Sequence, residues 1–407
     1  MITRTFNPLE LLNKNKSVLL LGPRGTGKTA IITDLLARRI DNAHVVSWVH
    51  IDLLQGGDFQ RYLGNPNQLT IELHDLAKKS VRSSKIIVII DEVQKIPALL
   101  DEVHYLIEKY AGQMVFLLSG SSARKLKRSG ANLLAGRAVS CHLFTLSQLE
   151  LDLSLSRAVQ FGTLPGVYLD QVGLEIPTLE SYVSTYLREE VQQESLIRGI
   201  DRFARFLDFA AQSNAQPINF SKLGRQLGVA GKTVAEYFSI LCDTLVAREL
   251  PGWSESVRRQ LLQASKYYFF DCGVLNVLNG YLRIDLRKGG FVFGNLFETF
   301  VINQLFCANE YLSLGLRFYY WRDKDGQEVD LILARNSFEP LLAIEIKSHE
   351  APKAEDCPGF ALFKEDYPQV PQLCVCNTPR AYQEEEIRFL PWKDLIQNLK
   401  QLVNRSQ

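Results

Sequence analysis

The segment from Gly22 to Thr29 constrains this chain more than any other. It reads Gly-Pro-Arg-Gly-Thr-Gly-Lys-Thr and follows the apolar run Val18 to Leu21, which predicts a phosphate-binding loop between a strand and a helix. The backbone N–H groups of such a loop surround phosphate oxygens, and the next helix presents its positive end to them. The loop therefore predicts ATP as the ligand, with Lys28 at the β- and γ-phosphates and Thr29 on Mg²⁺.

Two acidic residues follow a second apolar run. Lys85 to Ile90 is β-branched and apolar, which is typical of a buried parallel strand, and Asp91 and Glu92 come directly after it. Asp91 is predicted to hold Mg²⁺ together with Thr29, directly or through water. Glu92 is predicted to polarise the water that attacks the γ-phosphate. The predicted nucleotide-binding residues are Gly22, Pro23, Arg24, Gly25, Thr26, Gly27, Lys28, Thr29 and Asp91.

Further polar residues follow the next predicted strand, Val115 to Leu118. Ser119 is predicted to lie beside the γ-phosphate and orient water, with Ser121 as the competing candidate. The basic window Arg124 to Arg128 is either a solvated face or a phosphate contact. Arg137 stands alone among apolar and small residues, so we predict that it is an arginine finger, which stabilises transition-state charge at the site of an adjacent subunit.

Composition limits the remaining possibilities. The chain has 407 residues, 46% of them hydrophobic, which is enough for two or three domains, and its net charge of +1 creates no global field for nucleic acid. Cys374 and Cys376 are predicted at alternate positions of a strand rather than as zinc ligands. No signal sequence and no apolar stretch of about 18 residues is recognised, so we expect a cytoplasmic protein without a membrane span.

The middle of the chain changes from a strand–helix alternation to short helices. The alternation up to about residue 145 predicts a parallel sheet. Asn219 to Val229 is similar to the first helix and turn of a helix-turn-helix, with Ser221 as the helix cap and Gly228 in the turn. Gly231 to Leu241 would be the recognition helix. The predicted wing strands are Val246 to Leu250 and Lys266 to Phe270. Such a winged helix contacts DNA or serves only for packing.

A second group of charged residues lies near the carboxyl end. Alternation along a strand places Glu328 and Asp330 on one face, and Glu345 and Lys347 on one face of the following strand. If these strands pair as a hairpin, the charges converge on the side away from the apolar core. Asp330, Glu345 and Lys347 suit metal-assisted phosphodiester cleavage, with Glu298 as an additional Mg²⁺ ligand. The alternative is a solvated polar face.

Taken together, these motifs resemble a family of prokaryotic AAA+ ATPases whose carboxyl-terminal domain of unknown function ends in a restriction-endonuclease-like fold. The carboxyl-terminal residues resemble the PD-(D/E)xK nuclease signature, in which Asp330 takes the place of the first acid and Glu345 to Lys347 that of the E-x-K. Val329 precedes Asp330 here in place of the proline of that signature. The resemblance also implies a homo-oligomer with nucleotide at the subunit interfaces.

The predicted fold is α/β, with a P-loop AAA+ parallel sheet and helices on both faces, then a winged-helix module and a mixed nuclease-like domain. The predicted domains are residues 1–148 (ATPase), 149–200 (helical connector), 201–285 (winged helix) and 286–407 (nuclease-like). The predicted function is ATP-dependent processing of duplex or branched DNA. The alternatives are a nucleotide switch in signalling or phage defence, or a branch-migration motor with a nuclease fold that does not cleave.

Overall fold

The structure, a computed structural model, divides the chain into two compact units. It describes residues 2–38, 45–79, 85–128, 134–170, 173–187, 200–254, 256, 260 and 263–405. The first unit is Met1–Phe144 with Asp243–Leu245, and the second is Thr145–Cys242 with Val246–Gln407. Residues 171–172 and 188–199 of the predicted connector lie outside the described residues. The predicted domain boundaries stay predictions.

The first unit alternates helices and strands, as the sequence predicts. Its elements are α1 (Pro8–Asn13), β1 (Ser17–Leu21), α2 (Lys28–Arg38), β2 (Val45–Asp52), α3 (Gly56–Leu63), α4 (Gln68–Lys79), β3 (Lys85–Asp91), α5 (Leu99–Lys109), β4 (Met114–Gly120), α6 (Ala123–Arg128) and β5 (Ala138–His142). Helices α1, α3 and α6 and strand β5 were not predicted from the sequence. Strand β5 gave no signal because it is short and Val139 and Ser140 are exposed.

The strand order of the first sheet brings three strand ends together. The order is β2-β3-β4-β1-β5, and the neighbouring strands are parallel throughout. Strand β4 therefore lies between the strand before the phosphate loop and the strand that ends in Asp91. All five residues of β1 and all seven of β4 are buried, as expected for a parallel sheet that is covered on both faces. The carboxyl ends of β1, β3 and β4 meet at one edge.

The second unit begins with helices and a two-stranded ribbon. Its elements are α7 (Leu155–Phe161), α8 (Pro165–Tyr168), α9 (Glu175–Ser181), a π-helical turn (Tyr182–Leu187), α10 (Ile200–Gln212), α11 (Phe220–Leu227), α12 (Gly231–Asp243), β6 (Ala247–Leu250), β7 (Lys266–Phe269) and α13 (Cys272–Asn279). The predicted cap Ser221 is wrong, because the Asn219 side chain accepts the N–H of Lys222 at 2.9 Å. Gly228 ends α11 with φ of 68°. Strands β6 and β7 pair antiparallel.

The unit continues into a mixed sheet. Its elements are α14 (Phe291–Tyr311), β8 (Arg317–Arg322), β9 (Glu328–Ala334), β10 (Pro340–Lys347), α15 (Pro358–Asp366), β11 (Gln372–Cys376), β12 (Tyr382–Glu384), β13 (Ile387–Pro391) and α16 (Trp392–Arg405). The strand order is β12-β13-β11-β10-β9-β8. The antiparallel pairing of β9 with β10 confirms the predicted hairpin. Cys374 and Cys376 occupy alternate, buried positions of β11, as predicted.

Helix α14 corrects the expectation that no apolar stretch is long enough to span a bilayer. It has 21 residues, and an 18-residue window within it has a mean hydropathy of 1.3. However, 67% of that window is buried inside the protein. Phe297 and Phe300 are among the buried side chains, and the Phe300 ring packs against Trp392 of α16. By length and composition this helix could cross a membrane, but its burial is that of a core helix.

Candidate active sites

The phosphate loop connects β1 to α2 in a conformation that requires glycine at particular positions. Gly27 has φ of 98°, a backbone conformation that side chains rarely adopt. A β-carbon at Gly22 would lie 2.6 Å from the carbonyl oxygen of Leu143. The spacing of glycines therefore has a steric cause in this chain. It leaves the backbone of the loop free to approach phosphate oxygens closely.

Lys28 and Thr29 begin helix α2 at the end of the loop. The Lys28 ammonium donates hydrogen bonds to the carbonyl oxygens of Gly22 at 2.7 Å and Pro23 at 3.1 Å, and the residue is 5% exposed. The Thr29 hydroxyl donates to Asp91 Oδ2 at 3.1 Å. The two predicted Mg²⁺ ligands are thus in direct contact, although 62 residues separate them in sequence.

Ser119, at the end of β4, contacts both acids of the neighbouring strand end. Its hydroxyl donates a short hydrogen bond to Asp91 Oδ1, and its oxygen accepts the backbone N–H of Glu92 at 3.2 Å. Glu92 itself has left-handed backbone angles, φ 58° and ψ 44°, which are strained for a non-glycine residue. Its N–H group donates hydrogen bonds to the Ser119 hydroxyl oxygen and to Asp91 Oδ1, the latter at 3.1 Å, and these hold it there.

Two residues that were not predicted from the sequence, Gln94 and Arg4, also contact this site. The buried amide of Gln94 donates to Glu92 Oε2 at 2.5 Å and to the Ser121 hydroxyl at 2.9 Å. Ser121 thus contacts Gln94, whereas Ser119 contacts Asp91. The Arg4 guanidinium donates to the carbonyl oxygen of Thr26 at 2.6 Å and so supports the phosphate loop from the amino-terminal segment. No motif marks either residue, because Arg4 acts on the backbone of Thr26 and Gln94 joins the side chains of Glu92 and Ser121, which meet only in the folded chain.

Arg137 lies in the loop before β5 and is paired within its own chain. Its guanidinium donates to the Glu108 carboxylate of α5, with Nε at 3.0 Å and Nη2 in a short contact. The expectation that this arginine stands alone is therefore wrong. The pair is partly exposed, with 33% of the Arg137 side chain accessible. In the basic window, Arg124 is buried, and the side chains of Lys125, Lys127 and Arg128 lie outside the described part of the chain.

The residues of the first unit fit ATP with Mg²⁺. Gly22 provides a cradle that a β-carbon would fill, and Lys28 is a buried cation that donates to the backbone oxygens of Gly22 and Pro23. Thr29 and Asp91 are the oxygen donors that Mg²⁺ prefers. Lys28 would hold the phosphates, and Thr29 and Asp91 would hold the metal.

The predicted charged residues of the second unit also come together. The backbone N–H of Ile346 donates to Asp330 Oδ2 at 2.8 Å, which joins β9 to β10 at this point. Lys347 Nζ lies 3.2 Å from Glu345 Oε2. Glu298 of α14 accepts a hydrogen bond from the Tyr268 hydroxyl at 2.6 Å. Strand pairing and one helix therefore collect residues from separate parts of the sequence.

Lys266 lies among these charged residues but was not predicted from the sequence as a site residue. It lies on β7 and is 3% exposed. Its ammonium lies 2.7 Å from Glu328 Oε2 and 3.8 Å from Glu298 Oε1. Arg322 pairs with the other oxygen of Glu328 at 3.0 Å. The sequence predicted only that Lys266 begins a wing strand. We call the set Lys266, Glu298, Glu328, Asp330, Glu345 and Lys347 the carboxyl-terminal cluster.

Burial shifts the protonation of this cluster. It raises the pKa of Glu298 to about 7, although the nearby Lys266 ammonium acts in the opposite direction. Burial also raises the pKa of Glu345 well above its ordinary value, and the Asp330 carboxylate adds to the rise. Burial lowers the pKa of Lys266, but the carboxylates of Glu298, Asp330 and Glu328 outweigh it, so its pKa is raised. Lys266 is therefore a fixed positive charge within the cluster.

The predicted placement of these charges away from an apolar core is wrong. Ile332 lies two residues after Asp330, and Ala343 lies two residues before Glu345, so both are on the charged face of the hairpin. They pack with Phe360 and Phe363 of α15. A β-carbon at Gly359 of α15 would lie 3.4 Å from Glu345 Oε1. Apolar residues thus cover both faces of the hairpin.

The fold and the site of the first unit define a class of protein. A parallel sheet of this order, a phosphate loop and an adjoining Thr-Asp-Ser contact characterise an AAA-type ATPase domain. The match of residues 14–151 to the AAA domain family agrees with this class. Residues 293–395 match a domain of unknown function, DUF4143, and residues 152–285 match another, DUF8612. The chain therefore combines an AAA-family ATPase domain with a carboxyl-terminal DUF4143 domain.

Relatives with similar sequences carry little functional information. The uncharacterized proteins Mb2031c of Mycobacterium bovis and Rv2008c of Mycobacterium tuberculosis are each 25% identical over 323 residues, which is 79% of this chain and 68% of theirs. The proteasome-activating nucleotidase of Methanospirillum hungatei is 40% identical over 87 residues, covering 21% of this chain and 19% of that protein.

Similar solved structures show only distant likeness. PCH-2 of C. elegans is 20% identical, with a TM-score of 0.26, and the match covers 38% of this chain and 40% of that one. Drosophila ORC bound to AT-rich DNA and Cdc6 is 10% identical, with a TM-score of 0.27, and the match covers 67% of this chain and 88% of that one. Scores this low do not define a function.

Proposed function

We propose that this protein hydrolyses ATP with Mg²⁺ in the first unit and uses the nucleotide cycle to process DNA. One observation carries the hydrolytic part: Thr29, Asp91 and Ser119 form a continuous chain of hydrogen bonds beside the phosphate loop. Bound ATP supplies the phosphoanhydride that is cleaved. Lys28 would hold its phosphates, and Glu92, next to Asp91, would accept the proton of the attacking water. Turnover would take place in the cytoplasm.

The DNA part of the proposal rests on the surface of helices α11 and α12. Lys222, Arg225 and Lys232 are all exposed there, with Glu236 as the nearby exposed acid. Gly224 allows the close turn between the helices, because a β-carbon at this position would lie 2.6 Å from the Val229 carbonyl oxygen. A helix pair of this kind, followed by the β6–β7 ribbon, supports a winged-helix contact with duplex or branched DNA.

DNA affinity is expected to fall steeply with salt, because each neutralised phosphate releases counterions. Replacing Lys222, Arg225 and Lys232 together by glutamine should weaken binding and reduce the slope of log affinity against log salt by about 1 per lost contact. Fluorescence anisotropy with duplex and branched DNA between about 50 and 200 mM salt measures both. The matched control replaces the exposed Lys324, Arg380 and Lys400.

DNA-binding and phosphate-release assays together separate DNA processing from the nucleotide-switch alternative. Phosphate release that rises on addition of linear, circular or branched DNA supports the proposal. Undetectable DNA binding, or equal loss of affinity in the control variant, would contradict the DNA part and favour a switch that acts on a protein partner. ATP hydrolysis without DNA would stand in either case. Metal-dependent cleavage at Asp330, Glu345 and Lys347, which the sequence predicts, is not part of this proposal.

Arg137 is proposed to act across the interface of a homo-oligomer. Because it is paired with Glu108 within its own chain, an adjacent subunit's nucleotide would have to draw it away from that carboxylate. Separate Arg137→Ala and Lys28→Ala proteins should each have low ATPase activity. A 1:1 mixture should recover up to about a quarter of the wild-type rate, the share of interfaces with one intact site and one intact finger.

Phosphate release by the mixture measures this recovery. Glu108→Gln is the matched control, since it removes the intrachain partner and leaves the arginine, and it should keep its activity. Absence of recovery, in a mixture that native mass spectrometry shows to contain mixed oligomers, would exclude the assigned role of Arg137.

A further inference from the structure

The carboxyl-terminal cluster already contains its cations. The Lys266 ammonium lies 2.7 Å from Glu328 and 3.8 Å from Glu298, over the ring of Tyr320 at 5.1 Å. Lys347 lies 3.2 Å from Glu345. With Arg322 on Glu328, three positive side chains face four carboxylates, Glu298, Glu328, Asp330 and Glu345. The protein itself thus supplies the positive charge that these carboxyl groups meet.

Two carboxylate oxygens of the cluster also accept hydrogen bonds. Asp330 Oδ2 accepts the Ile346 N–H at 2.8 Å, and Glu298 Oε1 accepts the Tyr268 hydroxyl at 2.6 Å. Mg²⁺ requires nearly octahedral oxygen ligands at about 2.1 Å. Within the described residues, no group of three or more His, Cys, Asp or Glu side chains is placed to hold a metal ion. The residues therefore do not fit the Mg²⁺ that the nuclease-like signature implies.

A divalent cation entering this cluster would meet the buried Lys266 ammonium. The two positive charges would repel each other at low effective dielectric, and a displaced ammonium would lose its partners inside the protein. The side chain has little accessible surface along which to move out, because Lys266 is 3% exposed. Its backbone is also fixed, through the pairing of β7 with β6 and a bridge to Pro217.

We propose that the Lys266 ammonium takes the place of a divalent cation in the carboxyl-terminal cluster. The wild-type protein then holds these carboxylates together without a metal. Its nuclease-like domain does not cleave DNA, and the cluster joins strand β7 to β9 and α14. The proposal is independent of ATP hydrolysis, because every residue in it belongs to the second unit.

Mn²⁺ titration of nucleotide-free protein, followed by electron paramagnetic resonance of the free ion, tests this proposal. The wild type should show no site that Asp330→Asn or Glu298→Gln removes. Lys266→Met removes the charge and keeps most of the length of the side chain, so this variant should gain one Mn²⁺ site, at least tenfold tighter than any site of the wild type. Adding Glu328→Gln to it should abolish the gain.

Lys364→Met is the matched control, because Lys364 pairs with the exposed Glu386 in the same domain. It should gain no Mn²⁺ site. Two results would overturn the proposal: a wild-type Mn²⁺ site that Asp330→Asn removes, or DNA cleavage by the wild type that Asp330→Asn abolishes while ATP hydrolysis continues. Neither result depends on Lys266→Met, so they decide the question even where that variant does not fold. Folded Lys266→Met without a new site would also contradict it.

Discussion

Replacing Glu92 by glutamine is expected to leave ATP binding intact and to lower ATP turnover by about 10²- to 10⁴-fold, the usual contribution of a general base. Glutamine keeps the shape of the side chain and the backbone N–H that bonds to Ser119 and Asp91. It lacks the charge needed to take a proton from water. The loss should therefore appear in kcat and not in the affinity for ATP.

Two measurements separate these effects. Steady-state phosphate release gives the turnover, and fluorescence titration with a labelled ATP analogue gives the dissociation constant. Glu102→Gln is the matched control, because this acid of α5 bonds to the Thr70 hydroxyl away from the phosphate loop. Wild-type turnover in Glu92→Gln would remove Glu92 from the proposed role and leave Asp91 as the remaining acid at this strand end.

Replacing Lys28 by alanine is expected to weaken ATP binding by about 100-fold, since hydrogen bonds to charged groups contribute about 1.5–3 kcal/mol. The ammonium is buried beside the carbonyl oxygens of Gly22 and Pro23, at the mouth of the loop that would receive the phosphates. Its removal takes away a cation from the position where negative charge has to be held. Activity should fall with it, because binding precedes hydrolysis.

Lys85→Ala is the matched control for this substitution. Lys85 also donates to backbone carbonyl oxygens, those of Leu12 at 2.5 Å and Asn13 at 3.3 Å, but it lies at the beginning of β3. Its loss should leave the ATP affinity unchanged. Equal weakening in both variants, measured by the same titration, would show that the effect comes from the stability of the first unit and not from phosphate binding.

The parallel sheet of the first unit was predictable from residues that lie close together in sequence. Gly22 to Thr29 and the run before Asp91 each combine an apolar strand with a polar end, and local periodicity reports such strands well. Strand β5 was missed because exposed residues interrupt its apolar pattern. Gln94 was missed because its selection depends on where Glu92 and Ser121 lie in space.

The carboxyl-terminal cluster was predictable only in part. Alternation correctly placed Asp330, Glu345 and Lys347 on paired strands, and the hairpin confirmed their convergence. It could not show that α15 covers the same face, since nothing in either strand encodes a helix that packs from later in the chain. Lys266 comes from a strand about 60 residues before β9, so its role as a counter-ion had no local sign.

The sequence by itself determined the chemistry available to this protein: a phosphate loop, an acidic strand end and a set of alternating charges, because these depend on residue type and local spacing. The tertiary structure decided which of those groups meet. The order β3-β4-β1 brings Asp91 and Ser119 to Thr29, and β7 delivers the Lys266 ammonium to Glu328. Contacts of this kind arise from strand order and helix packing over long separations, which residue spacing does not encode.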